Sequence, residues 1–190
     1  MSKVYEVAII VFPRVEELDF TGVWQVLATT HHLSKEAYLK LKTVGTVKEP
    51  IKCAHGLTVL PDESLSSLSE YDVIVIPGGP GTPKAMKNEV LLNQVKQAYK
   101  NGKLVCSVCT GAFVLAEAGV LEGKKATTYH TEIDKLSNFG AIPVKERVVV
   151  QDNLITGAGV SSLDVGMKIV EKLLGAESAA KVAEWIEYHH

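Results

Sequence analysis

The sequence predicts one α/β domain built as a three-layer sandwich, in which helices cover both faces of a mostly parallel central sheet. Two observations predict it. Short runs at residues 4–12, 72–77 and 104–108 are almost wholly apolar, which is typical of strands buried on both faces. Segments with helical spacing alternate with these strands. The chain of 190 residues is long enough for one sizeable core, so we expect residues 1–190 to form a single domain.

The first half of the chain begins with a strand that ends at a proline, because proline removes the backbone donor that a central strand needs. Polar residues that can begin a helix and glycine-rich turns separate the following elements. The predicted elements are a strand at 4–12 ended by Pro13, a helix opened by Asp19 and Thr21 and continuing to 28, a strand at 39–47, a hairpin at 51–60 around His55-Gly56, and a strand at 72–77 followed by Gly78-Gly79-Pro80-Gly81.

The second half contains the clearest amphipathic helix, at residues 89–100, which Asn101-Gly102 is expected to end. The other predicted elements are a strand at 104–108, a small-residue helix at 110–118, strands at 124–129, 144–150 and 153–156, a helix at 163–174 ended by Gly175, and a last helix at 176–188. In such folds ligands bind outside the carboxyl ends of the strands.

Composition excludes several classes of function. The formal charge is −2 without a basic block, which argues against nucleic-acid binding. No apolar run reaches the ~20 residues that cross a bilayer, and the N-terminal residues do not form a signal-peptide pattern.

Cys106 and Cys109 form a C-x-x-C without the further ligands of a zinc site. We therefore expect a cytoplasmic protein with free thiols and no metal, in which Cys106 lies in the core and Cys53 is structural or on the surface.

The strongest chemical signal is Cys109, where an apolar strand runs directly into a small-residue helix through Thr110-Gly111-Ala112. This pattern is typical of a nucleophile elbow. Amides at a helix N-terminus stabilise an anion, so a thiol here is expected to have a pKa lowered from ~8.5 to within ~3.5–7.5. The alternative is a buried structural cysteine.

Two further segments that follow predicted strands, the glycine turn at 78–81 and the segment around Asp19, contain candidate site residues. Backbone N–H groups of Gly79 and Thr110 can together form an oxyanion hole if their strands are neighbours, although the glycines are equally consistent with a simple turn. Asp19 is either a helix cap or a proton donor and acceptor facing Cys109. His130 is the histidine nearest a strand end and is either a base for the cysteine or a surface residue.

Several long segments resemble the ThiJ/PfpI superfamily, and within it the isonitrile hydratases. The matching segments are VFPRVEELDFTGVWQVL at 11–27, IPGGPG at 76–81, SVCTGAFVLAEAGVLEGKKATTYH at 107–130 and GAIPVKERVVVQDNLITGAG at 140–159. The likeness extends from Val7 to Tyr188. It implies a flavodoxin-like fold shared with class I glutamine amidotransferases, and a homodimer.

The resemblance also implies roles for residues. Cys109 would be the nucleophile, Asp19 its acidic partner, and Gly79 and Thr110 the backbone donors of a cofactor-free hydratase. This enzyme would convert an isonitrile and water into an N-formamide through a thioimidate, and burial would raise the pKa of Asp19 so that it carries a proton in part of the cycle.

The expected pocket contains Gly78 and the pair Tyr129-His130, which stands where the family commonly has His-Trp, so this wall of the pocket differs. Two other functions known in the superfamily or consistent with a reactive cysteine stay open. One is a glyoxalase-like or deglycase-like activity on reactive aldehydes. The other is a non-enzymatic redox or ligand sensor whose Cys109 is oxidised reversibly.

Overall fold

A computed structural model describes residues 3–33 and 37–188. The strands are β1 (Lys3–Val11), β2 (Ala37–Gly45), β3 (Ile51–Lys52), β4 (Thr58–Val59), β5 (Glu63–Ser64), β6 (Val73–Ile76), β7 (Leu104–Val108), β8 (Lys125–Ala126), β9 (Ile142–Pro143), β10 (Val148–Gln151) and β11 (Leu154–Gly157). The α-helices are α1 (Glu17–Leu33), α2 (Thr82–Ala85), α3 (Glu89–Lys100), α4 (Ala112–Glu117), α5 (Ser162–Leu174) and α6 (Ala176–Trp185). Short 3-10 helices cover Cys109–Gly111 and Ile133–Phe139.

Seven strands form the central sheet in the order β10-β11-β7-β6-β1-β2-β5. Neighbouring strands run parallel except for the β10–β11 hairpin at one edge. The middle strands are fully buried, as their apolar runs predicted. Both the α/β class and the mostly parallel sheet are therefore confirmed.

The helices lie in two groups, one on each face of the sheet. Helix α1 packs against α5 and α6, whereas α3 and α2 pack against α4. This arrangement is the predicted three-layer sandwich. None of the helices in the described ranges combines the length and apolar character that a bilayer crossing requires.

Local signals predicted some boundaries well. Helix α3 has the predicted bounds because Asn88 caps it, accepting a hydrogen bond from the Leu91 amide, and the chain turns at Gly102 with φ 76°. Strand β7 also has its predicted bounds. Helix α1 is longer than expected, since it continues to Leu33, and α6 ends at Trp185 rather than at residue 188.

Other segments differ from the prediction. The strand expected at 124–129 is only β8, which pairs with β9 in a separate two-stranded sheet. After Ala126 the Thr127 amide donates to the Thr156 hydroxyl on β11, and the Thr128 hydroxyl donates to the carbonyl oxygen of Cys109. The strand expected at 144–150 begins only at Val148. The helix expected from Thr110 opens as a 3-10 turn, and the structure adds the unpredicted α2, β5 and the 3-10 helix Ile133–Phe139.

The sheet order determines where the candidate residues meet. Strand β6 lies between β1 and β7, with Val75 opposite both Ile9 and Cys106. All three strands run in the same direction, so the loops that follow them emerge side by side at one edge of the sheet. Asp19, the Gly78–Gly79 turn and Cys109 stand on these loops or directly after them.

Candidate active site

Cys109 stands on a strained turn directly after β7. Val108 is still extended (φ −125°), whereas Cys109 has φ 54°, in the left-handed region that non-glycine residues rarely adopt. The chain then enters the 3-10 turn and α4. A Cβ atom on Gly111 would overlap the carbonyl oxygen of Ile76, so glycine lets α4 start against β6. The elbow that the sequence predicted at Cys109 is present in the structure.

Asp19 lies next to Cys109 and is buried, with 2% of its surface exposed. Its Oδ2 accepts a hydrogen bond from the Gly78 amide at 2.9 Å, and the thiol of Cys109 donates a second one to the carboxylate. Burial raises the pKa of Asp19 to about 7, and the negative charge of Glu16 contributes in the same direction. The two hydrogen bonds oppose this rise without cancelling it. A raised pKa for Asp19 was predicted.

The prediction of a lowered thiol pKa is wrong. Burial, followed by the negative charge of Asp19, raises the pKa of Cys109 to about 12. Hydrogen bonds from the amide and hydroxyl of Thr110 act in the opposite direction but are outweighed. The helix that was expected to stabilise the anion begins only as a 3-10 turn. The resting pair is therefore a protonated thiol beside a carboxyl group that titrates near neutrality.

A chain of hydrogen bonds surrounds the hydroxyl of Thr110. Its Oγ1 accepts from the Gly79 amide at 3.0 Å and lies 2.9 Å from the hydroxyl of Thr82. A threonine hydroxyl carries one proton, so when Thr110 donates to the sulfur of Cys109, Thr82 must donate to Thr110. Thr82 is buried and positions Thr110 in this way.

This network changes the expected oxyanion hole. The Gly79 amide was predicted to be a donor to the reacting oxygen, but it is already engaged by Thr110 Oγ1. The Thr110 amide donates to the sulfur of Cys109. A role for Gly79 as an oxyanion donor stays a prediction.

The three expected pocket residues differ in their contacts with the elbow. A Cβ atom on Gly78 would stand 2.6 Å from the Thr110 amide nitrogen and 3.0 Å from Cys109 Cβ, so Gly78 is in close contact with the elbow. Tyr129 is partly exposed, stacks obliquely on His130 with ring centroids 4.5 Å apart, and packs against Gly159. The role of Tyr129 and His130 as pocket walls stays a prediction.

A cavity of about 360 Å³ opens beside the elbow. Gly79 and Thr110 form part of its wall, together with Met86, Phe113 and Phe139. Cys109, Gly78, Tyr129 and His130 are not among its lining residues.

Within the described residues, one group of side chains has the composition of a metal site. Glu16, Glu17 and His55 bring their ligand atoms within 4.8 Å of one another. Their contacts have another explanation: His55 pairs with Glu16 at 3.1 Å, and Glu17 Oε1 accepts from the amides of His55 and Leu57. These contacts attach the β3–β4 hairpin to the start of α1. The remaining cysteines, Cys53 and Cys106, are free and buried.

Sequence reasoning missed two threonines of the site. Thr82 follows a glycine turn, and its hydroxyl meets Thr110 only because β6 and β7 are neighbours. Thr128 donates to the carbonyl oxygen of Cys109 at 2.7 Å and so connects the Tyr129-His130 segment to the elbow. The one available signal was Thr128 at the end of a predicted strand, where polar side chains face ligands.

Comparison with known proteins decides the family. The sequence profile of the DJ-1/PfpI family matches residues 5–172. The chain belongs to the DJ-1/PfpI family. The resemblance to ThiJ/PfpI proteins that the sequence motifs predicted is thereby confirmed.

Family members with assigned activities differ in chemistry. The chain is 35% identical to an isonitrile hydratase of Pseudomonas putida over 96% of its own length and 78% of that protein. It is 34% identical to a glutathione-independent glyoxalase of Caenorhabditis elegans over 73% of its length and 76% of that protein. A crystal structure of a ThiJ/PfpI family protein from Pseudomonas syringae superposes with a TM-score of 0.90 and 30% identity, covering all of this chain and 77% of the other.

Proposed function

We propose that this member of the DJ-1/PfpI family is a cysteine-dependent hydratase that converts isonitriles to N-formamides. The observation that carries the proposal is the contact between the Cys109 thiol and a buried carboxyl group, Asp19, whose pKa of about 7 lets it both accept and return a proton near neutral pH. The similarity to an isonitrile hydratase over nearly the whole chain supports the same reaction.

In the first half of the reaction, Asp19 accepts the thiol proton while the sulfur of Cys109 attacks the terminal carbon of the isonitrile, R–NC. The carbon then takes that proton from Asp19. The S–H bond is broken, C–S and C–H bonds are formed, and the product is a thioimidate, R–N=CH–S–Cys109. The high thiol pKa makes this concerted transfer necessary, because free thiolate is scarce at neutral pH.

In the second half, water adds to the thioimidate carbon and one of its protons reaches the nitrogen. Asp19 takes the other proton and returns it to sulfur as the C–S bond breaks, releasing R–NH–CHO and restoring the thiol. The amide of Thr110, which donates to the sulfur in the resting site, stabilises the charge that develops on the added oxygen. The sum is R–NC plus water giving the N-formamide.

The test is the reaction itself. Purified protein is mixed with para-nitrophenyl isocyanide at pH 8, and formation of the N-formamide is followed by absorbance. Catalytic turnover is expected. An inert protein, assayed in the folded state, contradicts the proposal.

A second candidate is a glyoxalase-like or deglycase-like activity, which the similarity to the Caenorhabditis elegans glyoxalase favours. Consumption of methylglyoxal without glutathione, together with no turnover of isonitriles, would support it. The third candidate is a redox sensor, and ready oxidation of Cys109 by low peroxide, with isonitriles and methylglyoxal both left unchanged, would support it.

A further inference from the structure

We propose that Thr128 is a positioning residue for the reactive cysteine. Its hydroxyl holds the carbonyl oxygen of Cys109 and thereby directs the amide of Thr110 toward the sulfur. The effect of Thr128 on turnover rests on the proposed hydratase function, whereas its effect on the thiol does not.

The carbonyl group of Cys109 and the N–H group of Thr110 belong to the same peptide unit. A peptide unit is planar, and in its trans form the carbonyl oxygen and the amide hydrogen point in opposite directions. The Thr128 hydroxyl donates to this oxygen at 2.7 Å. A contact that fixes the direction of the oxygen also fixes the direction of the Thr110 amide, which donates to the sulfur of Cys109.

The elbow needs such a contact because its backbone is strained. Cys109 has φ 54°, and a non-glycine residue keeps this conformation only where its surroundings hold it. The Ala112 amide also donates to the carbonyl oxygen of Cys109, but both groups belong to the same turn and move with it. Thr128 is 19 residues further along the chain, so its hydroxyl ties the turn to another part of the fold.

Thr128 is itself firmly held. Its side chain is fully buried, and the amide of the preceding residue, Thr127, donates to the hydroxyl of Thr156 on β11 at 3.0 Å. Strand β11 pairs with β7, the strand that ends at the elbow. A β-branched side chain has few rotamers, and its hydroxyl carries one proton. The hydroxyl of Thr128 is thus anchored to the same sheet as Cys109 and gives its proton to the carbonyl oxygen.

Three substitutions separate the hydroxyl from the rest of the side chain. Thr128→Val keeps the shape and removes the donor, Thr128→Ala removes the donor without placing a methyl group against the carbonyl oxygen, and Thr128→Ser keeps the donor. Thr127→Val is the matched control, since Thr127 is equally buried and its hydroxyl has no hydrogen-bond partner within residues 3–33 and 37–188. Thermal unfolding checks that each variant folds.

The first measurement is the reactivity of the thiol, which does not depend on the identity of the substrate. Burial raises the pKa of Cys109, and the hydrogen bond from the Thr110 amide opposes this rise, so loss of that bond leaves less thiolate. Alkylation of Cys109 by iodoacetamide at pH 9, followed by mass spectrometry, is expected to be about fivefold slower in Thr128→Val and Thr128→Ala. In Thr128→Ser and Thr127→Val the alkylation rate should stay within about twofold of the wild type.

The second measurement is turnover of para-nitrophenyl isocyanide. We expect Thr128→Val to lower kcat about tenfold and to change KM less than about twofold, because the Thr110 amide acts on charge that develops during the reaction. Thr128→Ser should restore kcat to within about threefold of the wild type, and Thr127→Val should leave it unchanged.

Two results would overturn the positioning role. One is wild-type alkylation and turnover in Thr128→Val, and the other is a Thr128→Ser protein as impaired as Thr128→Val, which would assign Thr128 to packing. A wild-type protein that is inert toward isonitriles overturns the proposed function instead, and the alkylation rates then still decide the role of Thr128.

Discussion

The thiol of Cys109 donates a hydrogen bond to the carboxylate of Asp19, and burial, followed by the negative charge of that carboxylate, raises the pKa of the thiol. The proton of the resting pair therefore stays on sulfur, and Asp19 is the group that titrates near pH 7. In the usual activated cysteine, by contrast, the thiolate is already stabilised before the substrate arrives. The following predictions test its consequences.

Replacing Cys109 with alanine should reduce isonitrile hydration by at least a thousandfold, because the covalent bond to the isonitrile carbon cannot form. The matched control is Cys106→Ala, which removes the neighbouring cysteine, fully buried in β7. It should cost about 1 kcal/mol of stability and leave kcat within threefold. The assay is formamide production by each variant, with thermal unfolding as a check on folding. Comparable losses of turnover in both variants would contradict the assignment of the nucleophile.

The pH dependence of turnover should report Asp19. Asp19 must be ionised to accept the thiol proton, so kcat/KM is expected to rise about tenfold per pH unit below about 7 and to level off above it. Rates with para-nitrophenyl isocyanide between pH 5 and 9 measure this profile. Asp19→Asn should lower kcat/KM at least a hundredfold at pH 8. His130→Gln should keep the same rise in kcat/KM with pH as the wild type. If that rise is absent in His130→Gln, the titrating group is His130 and not Asp19.

The free energy of unfolding should fall as pH rises, whereas kcat/KM should rise. The pKa of Asp19 is raised in the folded protein, so the folded state holds this proton more tightly than the unfolded chain does. The contribution of Asp19 to the free energy of unfolding is fully present below about pH 4. It is lost as pH rises through about 7, and the loss is at most about 4 kcal/mol. In Asp19→Asn the loss should be absent. Urea unfolding of both proteins at pH 5.5 and 8.5 measures it, and equal pH dependence in the two would show that Asp19 is not responsible.

Thr82 should act through Thr110. Thr82→Val removes the hydroxyl that lies 2.9 Å from the Thr110 hydroxyl and keeps the shape of the side chain. Thr110 then loses the partner that orients its hydroxyl toward the sulfur. We expect kcat to fall about tenfold with KM little changed, and Thr82→Ser to restore most of the rate. Thr29→Val is the matched control, since Thr29 is equally buried but donates within α1. A Thr82→Ser protein as slow as Thr82→Val would assign Thr82 to packing rather than to positioning.

Gly111 should be sensitive to a single methyl group. Its backbone is helical (φ −54°), so helix propensity alone favours alanine, yet a Cβ atom would overlap the Ile76 carbonyl oxygen. Gly111→Ala is therefore expected to destabilise the protein by more than about 2 kcal/mol. Gly102→Ala has open space but a φ of 76°, and should cost only about 1 kcal/mol. Urea unfolding measures both, and a neutral Gly111→Ala would contradict the close contact of α4 with β6.

Local sequence determined the buried central strands, the amphipathic helix α3 and the elbow at Cys109. Each depends on neighbours within a few residues: the apolar run of β7, the Asn88 cap, and the small residues after Cys109. The local sequence left Asp19 open as a helix cap or a partner of Cys109, and only the resemblance to ThiJ/PfpI proteins implied the second role.

Only the tertiary structure decided the electrostatics and the surroundings of the sulfur. The pKa of Cys109 depends on how deeply the fold buries it and on the charge of Asp19, neither of which a local motif contains. Engagement of the Gly79 amide by Thr110, and the meeting of Phe113 with Phe139, likewise join segments distant in the chain. Desolvation and packing depend on every atom that the fold brings near a group, whereas helix and strand patterns depend on the adjacent sequence.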